Sequence, residues 1–338
     1  MKQLLKESAC YGLKWAGLMP TVRRLFAGRA AIIMFHEIQT RFRYELATGT
    51  SVSLFEHSLA WLRQEGWRIV SLDDCLERVL KDDRSDRLAV LTFDDGYRDN
   101  VSVALPILER HNAPFLIYVP TGGPTRTLQA WWLGLRELIR SRDEVTIEAM
   151  GARLNCPDFE TKVSALGRVE RWVHEDYSRA AMLAPTFHKA DISMSALSDA
   201  YFLDESEVKT LSRHPLATIG AHTTSHPALA TLDAASARTE MADNRNYLQN
   251  LIQLPVRHMA YPYGGSKACG PREEHLASEV GFRTAVTTRP GHLDAVHLNH
   301  FALPRLFVGQ FDSEVAFEAR MNGLQRAVHI MRGDHRRA

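Results

Sequence analysis

The chain has 338 residues, 45% of them hydrophobic, enough for one large α/β barrel or two ordinary domains around a sizeable core. Its 41 Lys and Arg stand against 40 Asp and Glu, so a net charge of +1 gives no broad field for nucleic acid or anionic polymers, and a neutral substrate fits better. Cys10, Cys75, Cys156 and Cys269 form neither a CxxC pair nor a disulfide framework and read as reduced and structural.

Residues 1–29 carry apolar side chains at loosely helical spacing, but Lys6, Glu7 and Lys14 interrupt them, so the segment lacks the apolar core of a signal peptide. Nowhere does the chain hold the roughly 18 to 20 consecutive apolar residues that a spanning helix needs, and a cytoplasmic protein is expected. Lys2, Lys6, Lys14, Arg23, Arg24 and Arg29 are offset only by Glu7. The segment is therefore either a helix packed across a barrel end or a basic amphipathic helix in peripheral contact with the inner membrane face.

From residue 30 onward, short apolar runs of buried-strand length recur, each ending in a polar or turn-forming cluster. Run 30–35 ends at His36, and run 88–93 ends at Asp94, Asp95 and Gly96. Run 115–119 ends at Pro120, 217–221 at His222 and 258–261 at Pro262. Run 284–287 leads into Arg289, Pro290 and Gly291, and 301–308 is the last. Helical patterns at 54–65 (followed by the strand-like RIVSL), 100–111, 234–251 and 273–280 alternate with them, which is the pattern of βα units. In such barrels the active site forms at the carboxyl ends of the strands, where His36, Asp94, Asp95, His222 and His226 fall.

Residues 122–215 break the rhythm, because they separate two strands by far more than the roughly 30 residues of a βα unit. They read as a mainly helical insertion covering one side of the barrel mouth, with Trp131 and Trp132 either packing inside it or stacking on a sugar. The organisation expected is an N-terminal helical segment 1–29, a barrel 30–320 with insertion 122–215, and a basic tail 321–338.

Two segments carry the chemistry. LAVLTFDDGYRDN puts adjacent carboxylates at a strand end before a glycine that lets the backbone turn, and TIGAHTTSHPAL spaces His222 and His226 so that both imidazoles can reach one ion. Together they supply one carboxylate and two imidazoles, with Asp94 left to take a proton from the attacking water. HMAYPYGG adds a turn in which the Tyr263 backbone N–H can serve a developing oxyanion.

TFDDG, HTTSHP and YPYG in that order resemble the polysaccharide deacetylase family, carbohydrate esterase family 4 with its NodB-homology domain. The resemblance implies a distorted (β/α)7 barrel and a zinc-like divalent ion; the donor set also accepts Co2+ or Ni2+. It further implies N-deacetylation of N-acetylglucosamine units, with Asp94 as base, Asp95, His222 and His226 as ligands, and Tyr263 as the oxyanion residue.

The chain departs from the family pattern twice. Ala260 stands where many members have an arginine that orients the base, and Arg305 in FALPRLFV either takes that place or makes a plain ion pair. The general acid, a histidine in a Leu-x-His motif near the last strand, has three candidates. His300 fits the letters, His297 is near, and His292, which follows a strand end, is the one assigned; His36 is either a packed structural residue or part of the site. The expected function is a metal-dependent N-deacetylase acting on a neutral saccharide. The alternatives are an amidohydrolase on a non-sugar amide and a saccharide-binding protein with impaired catalysis.

Overall fold

In a computed structural model the described residues are 12, 17, 19–40, 46, 49–81, 85–293, 295–310 and 312–331. Most of the N-terminal segment, Cys10 and the last seven residues of the basic tail lie outside them, so the expected basic helix is described chiefly as Met19–Phe26. In chain order the strands are β1 (Ala30–Phe35), β2 (Ile38–Gln39), β3 (Thr50–Ser51), β4 (Trp67–Ile69), β5 (Arg87–Phe93) and β6 (Phe115–Val119). There follow β7 (Glu144–Ile147), β8 (Ala152–Asn155), β9 (Ala217–Ala221), β10 (His258–Ala260), β11 (Thr284–Val286) and β12 (Leu306–Phe307).

A parallel sheet in the order β11-β10-β9-β6-β5-β1-β12 curls into a distorted (β/α)7 barrel. One side of β5 is divided between two partners, with β4 against residues 87–89 and β6 against residues 91–93. Because both faces are covered, β1 and β6 are buried at every residue, and their side chains alternate between two cores. Ala31, Ile33 and Phe35 face the surrounding helices, where Phe35 packs on Phe55 and Phe93. Ile32, Val90, Leu116, Tyr118, Ala260 and Val286 fill the barrel interior. Continuing upward along the inward face of β5 brings Thr92 and then Asp94, so the site caps the interior stack.

Six expected strands form within one residue of their expected bounds. The run 301–308 does not form one regular strand. The Ala285 N–H donates to His300 O at 2.8 Å, and Thr287 N–H to Leu303 O at 2.9 Å, so its first half follows β11. Past Pro304, which has no N–H to give, Leu306 and Phe307 pair with Ile33 and Met34 of β1 and close the barrel. The expected helix 100–111 starts as a π-helical turn, Asn100–Ala104, before the α-helix Leu105–Arg110.

Between β6 and β9 the chain builds a second core from Leu135, Leu138, Ile139, Val169, Val173 and Phe187. It is mainly helical, as expected, and also contains the antiparallel hairpin β7–β8. Its longest helix, Phe159–Glu175, opens on a reciprocal cap in which Asp158 Oδ1 accepts from the Thr161 N–H at 2.8 Å and the Asp158 N–H donates to Thr161 Oγ1 at 3.1 Å. Cys75, Cys156 and Cys269 are buried and unpaired, and burial pushes the Cys75 and Cys269 thiols up to about 12. Among the described residues no helix is long and apolar enough to cross a membrane.

Candidate active site

Directly after Phe93 the backbone turns, with Asp95 at φ 71° and Gly96 at φ 70°. After β9 and β10 the same left-handed conformation recurs at Thr223 (φ 65°), His226 (φ 60°) and Tyr263 (φ 61°), residue types that seldom adopt it. Strained backbone of this kind concentrates at functional turns, and here it aims side chains from three strand ends at one point.

That point is a buried trio. Asp95 Oδ1 lies 3.2 Å from Nε2 of both His222 and His226, and one donor atom from each of the three residues falls within 4.8 Å of the others. The His222 Nδ1–H donates to Ala260 O at 2.7 Å, which fixes the tautomer and leaves the Nε2 lone pair facing Asp95. The His222 N–H is held by Asn244 Oδ1 at 2.8 Å, and Glu240 accepts from the N–H groups of Thr224 and Ser225, both at 2.9 Å. Asp95 Oδ1 is buried and has no hydrogen bond of good geometry despite its short contacts. An orphaned carboxylate oxygen facing two imidazole nitrogens is a donor set that fits a divalent cation. Burial would push Asp95 up, but the two imidazoles hold its carboxyl well below the usual carboxylate range.

Asp94 points beside the trio and is clasped by Arg305, with Nη1 donating to Oδ1 and Nη2 to Oδ2, each at 2.7 Å. The guanidinium is itself fixed, since its Nε donates to Thr287 O at 2.9 Å and it lies over the Tyr118 ring at 5.7 Å. Burial again acts to raise Asp94, and the Arg305 charge and hydrogen bonds reverse it, leaving the carboxyl below its ordinary value. Arg305 is completely buried and Asp94 is 2% exposed, so this is no surface ion pair; the guanidinium comes from the residue just before β12.

Tyr263 stands against His226, ring centroids 5.0 Å apart, and its hydroxyl accepts from Trp131 Nε1 at 2.8 Å. Its backbone N–H donates to no other group among the described residues. Trp131 packs into the insertion core, whereas Trp132 lies 4.8 Å from the His226 ring and donates to Tyr97 Oη at 2.7 Å. The insertion therefore forms a wall of the site.

His292 does not join this group, which corrects the expectation drawn from its place after a strand. It packs against Gly28 and the Trp67 ring, with Nε2 at 3.2 Å from Met321 O, and its neighbour Leu293 bridges to Ala30 at the amino end of β1. That is the opposite end of the barrel, and burial there lowers His292 to about 4. The backbone of His300 bonds Ala285 near the same end; the His297 side chain lies outside what is described. Besides His222 and His226, a histidine that does reach the mouth is His36, at the carboxyl end of β1. Its Nε2 lies 3.9 Å from Asp94 Oδ2, it is about one-third exposed, and its ring rests on Phe307 at 5.7 Å. The signal for it was present in the sequence as a polar residue closing the first strand.

The polysaccharide deacetylase family model matches residues 81–284. YxkH of Bacillus subtilis, named for the same family, is 22% identical over 301 residues, covering 87% of this chain and 76% of its own. Among solved structures, the Streptococcus pyogenes deacetylase PplD in complex with acetate superposes with a TM-score of 0.58 at 19% identity, covering 86% of this chain and 97% of its own. IcaB from Ammonifex degensii gives 0.57 at 17% identity, covering 88% and 97%. These two likenesses support the fold, and the family match spans more than half of the sequence. This chain belongs to the polysaccharide deacetylase family and is a hydrolase of the carbon–nitrogen bonds of acetylated saccharides.

Proposed function

We propose that the protein is a metal-dependent N-deacetylase acting on N-acetylglucosamine units of an exopolysaccharide, cell-envelope glycan or chitooligosaccharide, with Asp95, His222 and His226 holding Zn2+, or Co2+ or Ni2+ in its place. The observation that carries this reading is the orphaned Asp95 Oδ1 facing two imidazoles beside an Asp94 clamped on both oxygens by Arg305. A divalent ion at the trio supplies Lewis acidity, polarising the acetamide carbonyl and making water acidic enough to be deprotonated near neutral pH.

The chain's own groups divide the remaining work. Asp94, kept ionised by Arg305, takes a proton from the attacking water as its oxygen bonds the carbonyl carbon. The Tyr263 N–H donates to the oxygen that becomes negative. His36, on the same side as Asp94, gives a proton to the amide nitrogen as the carbon–nitrogen bond breaks, so acetate and a free sugar amine leave. Trp132 and Tyr263 wall off the pocket from bulk water.

The saccharide-binding alternative was motivated by a missing arginine and an unplaced acid, and Arg305 and His36 supply a candidate for each. The test is acetate release from a panel of N-acetylated saccharides and a non-sugar N-acetyl amide, with metal-loaded and chelated protein. Release confined to sugars and lost on chelation is expected. Equal rates with and without metal sink the mechanism, and preference for the non-sugar amide sinks the substrate.

A further inference from the structure

One helix of the insertion touches both halves of the site. Trp132 and Arg136 are four residues apart on Trp131–Arg140 and so share a face. The Trp132 ring lies 4.8 Å from that of His226 and, one turn on, the Arg136 guanidinium reaches Glu37, the residue after His36. Both Nη atoms donate to the carboxylate within 2.9 Å, and Gln39 Nε2 adds a third bond at 3.0 Å. Glu37 is fully buried and Arg136 is 3% exposed, so water does not screen the pair. A second carboxyl nearby does not compete for the guanidinium. Burial and the Glu37 charge push Asp99 well above the usual carboxylate range, which leaves Glu37 to carry the negative charge.

The His36 ring depends on its surroundings for its aim. Among the described residues neither ring nitrogen makes a hydrogen bond: Nδ1 is buried without a partner, and Nε2 stands 3.9 Å from Asp94 Oδ2. His222 differs, because its Nδ1–H is anchored on Ala260 O. What holds His36 is therefore the backbone around it. Phe35 O accepts from the Asp94 N–H at 3.0 Å, His36 O from Asn100 Nδ2 at 2.7 Å, and Glu37 O from the Thr50 N–H at 2.8 Å. These three ties come from the barrel. The Glu37 side chain is gripped from the insertion, through a planar fork that fixes direction as well as distance. Such precision matters to a proton donor, since a misplacement of about 1 Å can cost about 10²-fold in rate.

We propose that Arg136 is a positioning residue for His36: through Glu37 it sets the distance between the proton donor and the metal trio, with the helix Trp131–Arg140 as the spacer. The assignment rests on the reading of His36 as the acid that protonates the leaving amine. The insertion then matters to a leaving group that needs a proton and little to one that departs as an anion.

The test uses the full metal-loaded chain, with N-acetylglucosamine oligomers in β-1,4 and β-1,6 linkage as amides and nitrophenyl acetate as an ester whose phenolate leaves without a proton. Removing Arg136 alone strands a buried charge, so the tie is cut by Glu37→Leu combined with Arg136→Met. This double variant should lower kcat on the oligomers by about 10-fold or more, with KM and the ester rate within about 2-fold of wild type. Arg136→Lys, which keeps the charge and loses the fork, should lie between. His36→Gln lowers oligomer turnover by itself, and adding the double change to it should cost less than about 2-fold more, because no donor remains to be aimed. Equal losses on oligomer and ester, no loss on either, or losses that multiply with that of His36→Gln overturn the positioning role. His36→Gln with wild-type oligomer turnover instead overturns the acid reading, and a wild type that cleaves the ester but no oligomer overturns the saccharide reading; the positioning role falls with either.

Discussion

Asp94 and Asp95 are adjacent in sequence, yet their environments differ sharply: Asp95 meets two imidazoles and Asp94 a guanidinium. Arg305→Leu leaves the Asp94 charge buried and uncompensated, which should lower stability at neutral pH by about 3–5 kcal/mol. The sign with pH follows from the depressed Asp94 pKa. The pair's contribution is complete above the ordinary carboxyl range and is lost as pH falls through the folded value. Urea melts of wild type and Arg305→Leu should therefore converge on acidification; a gap that widens instead means that the ion pair is not the cause. His36→Gln should reduce kcat by about 10²–10⁴-fold with metal affinity near wild type, while His292→Gln should alter the melting temperature and leave kcat in place. The reverse pattern would return the acid role to His292. Asp94, Asp95 and His222 were legible as motif residues because they come immediately after β5 and β9. The place of His292 was not, because letters after a strand do not show that the chain has already turned down the barrel wall by residue 292.

At the scale of elements, the helix Trp131–Arg140 joins insertion to barrel through one buried ion pair. Arg136 Nη1 and Nη2 donate to Glu37 Oε2 and Oε1 at 2.6 and 2.9 Å, next to His36, and the guanidinium also lies over the Tyr201 ring at 4.7 Å. The same helix carries an exposed Arg140–Glu137 pair three residues apart. Thermal melts should separate them: about 3–5 kcal/mol for Arg136→Leu against 0–1 kcal/mol for Arg140→Leu, roughly. Similar losses would mean that the buried pair does not anchor the insertion. The long strands were readable because burial on both faces leaves continuous apolar runs. The hairpin β7–β8 was not, although its exposed and buried residues alternate strictly, because four-residue strands between helices leave too short a pattern to weigh. Nor does a sequence announce a left-handed aspartate or histidine, since tertiary packing imposes the conformation against local preference.

For the whole molecule, a metal held by the preformed trio, as proposed, would couple occupancy to folding. A cation binding the folded state at about 100 times its Kd adds about 2.7 kcal/mol. Calorimetry should show the melting temperature rising with added Zn2+ and falling with chelator, and Asp95→Asn should blunt that response. An unchanged response in Asp95→Asn would remove Asp95 from the ligand set.

Arg305 lies 211 residues beyond the aspartate that it grips, on the segment that closes the barrel. During synthesis Asp95, His222 and His226 all emerge before it, so the proposed ligands precede the group that restrains the proposed base. Contacts of such long sequence separation form slowly. If Asp94 is the base, closure of the last strand would act as a maturation step, and hydrolytic competence should follow completion of the fold.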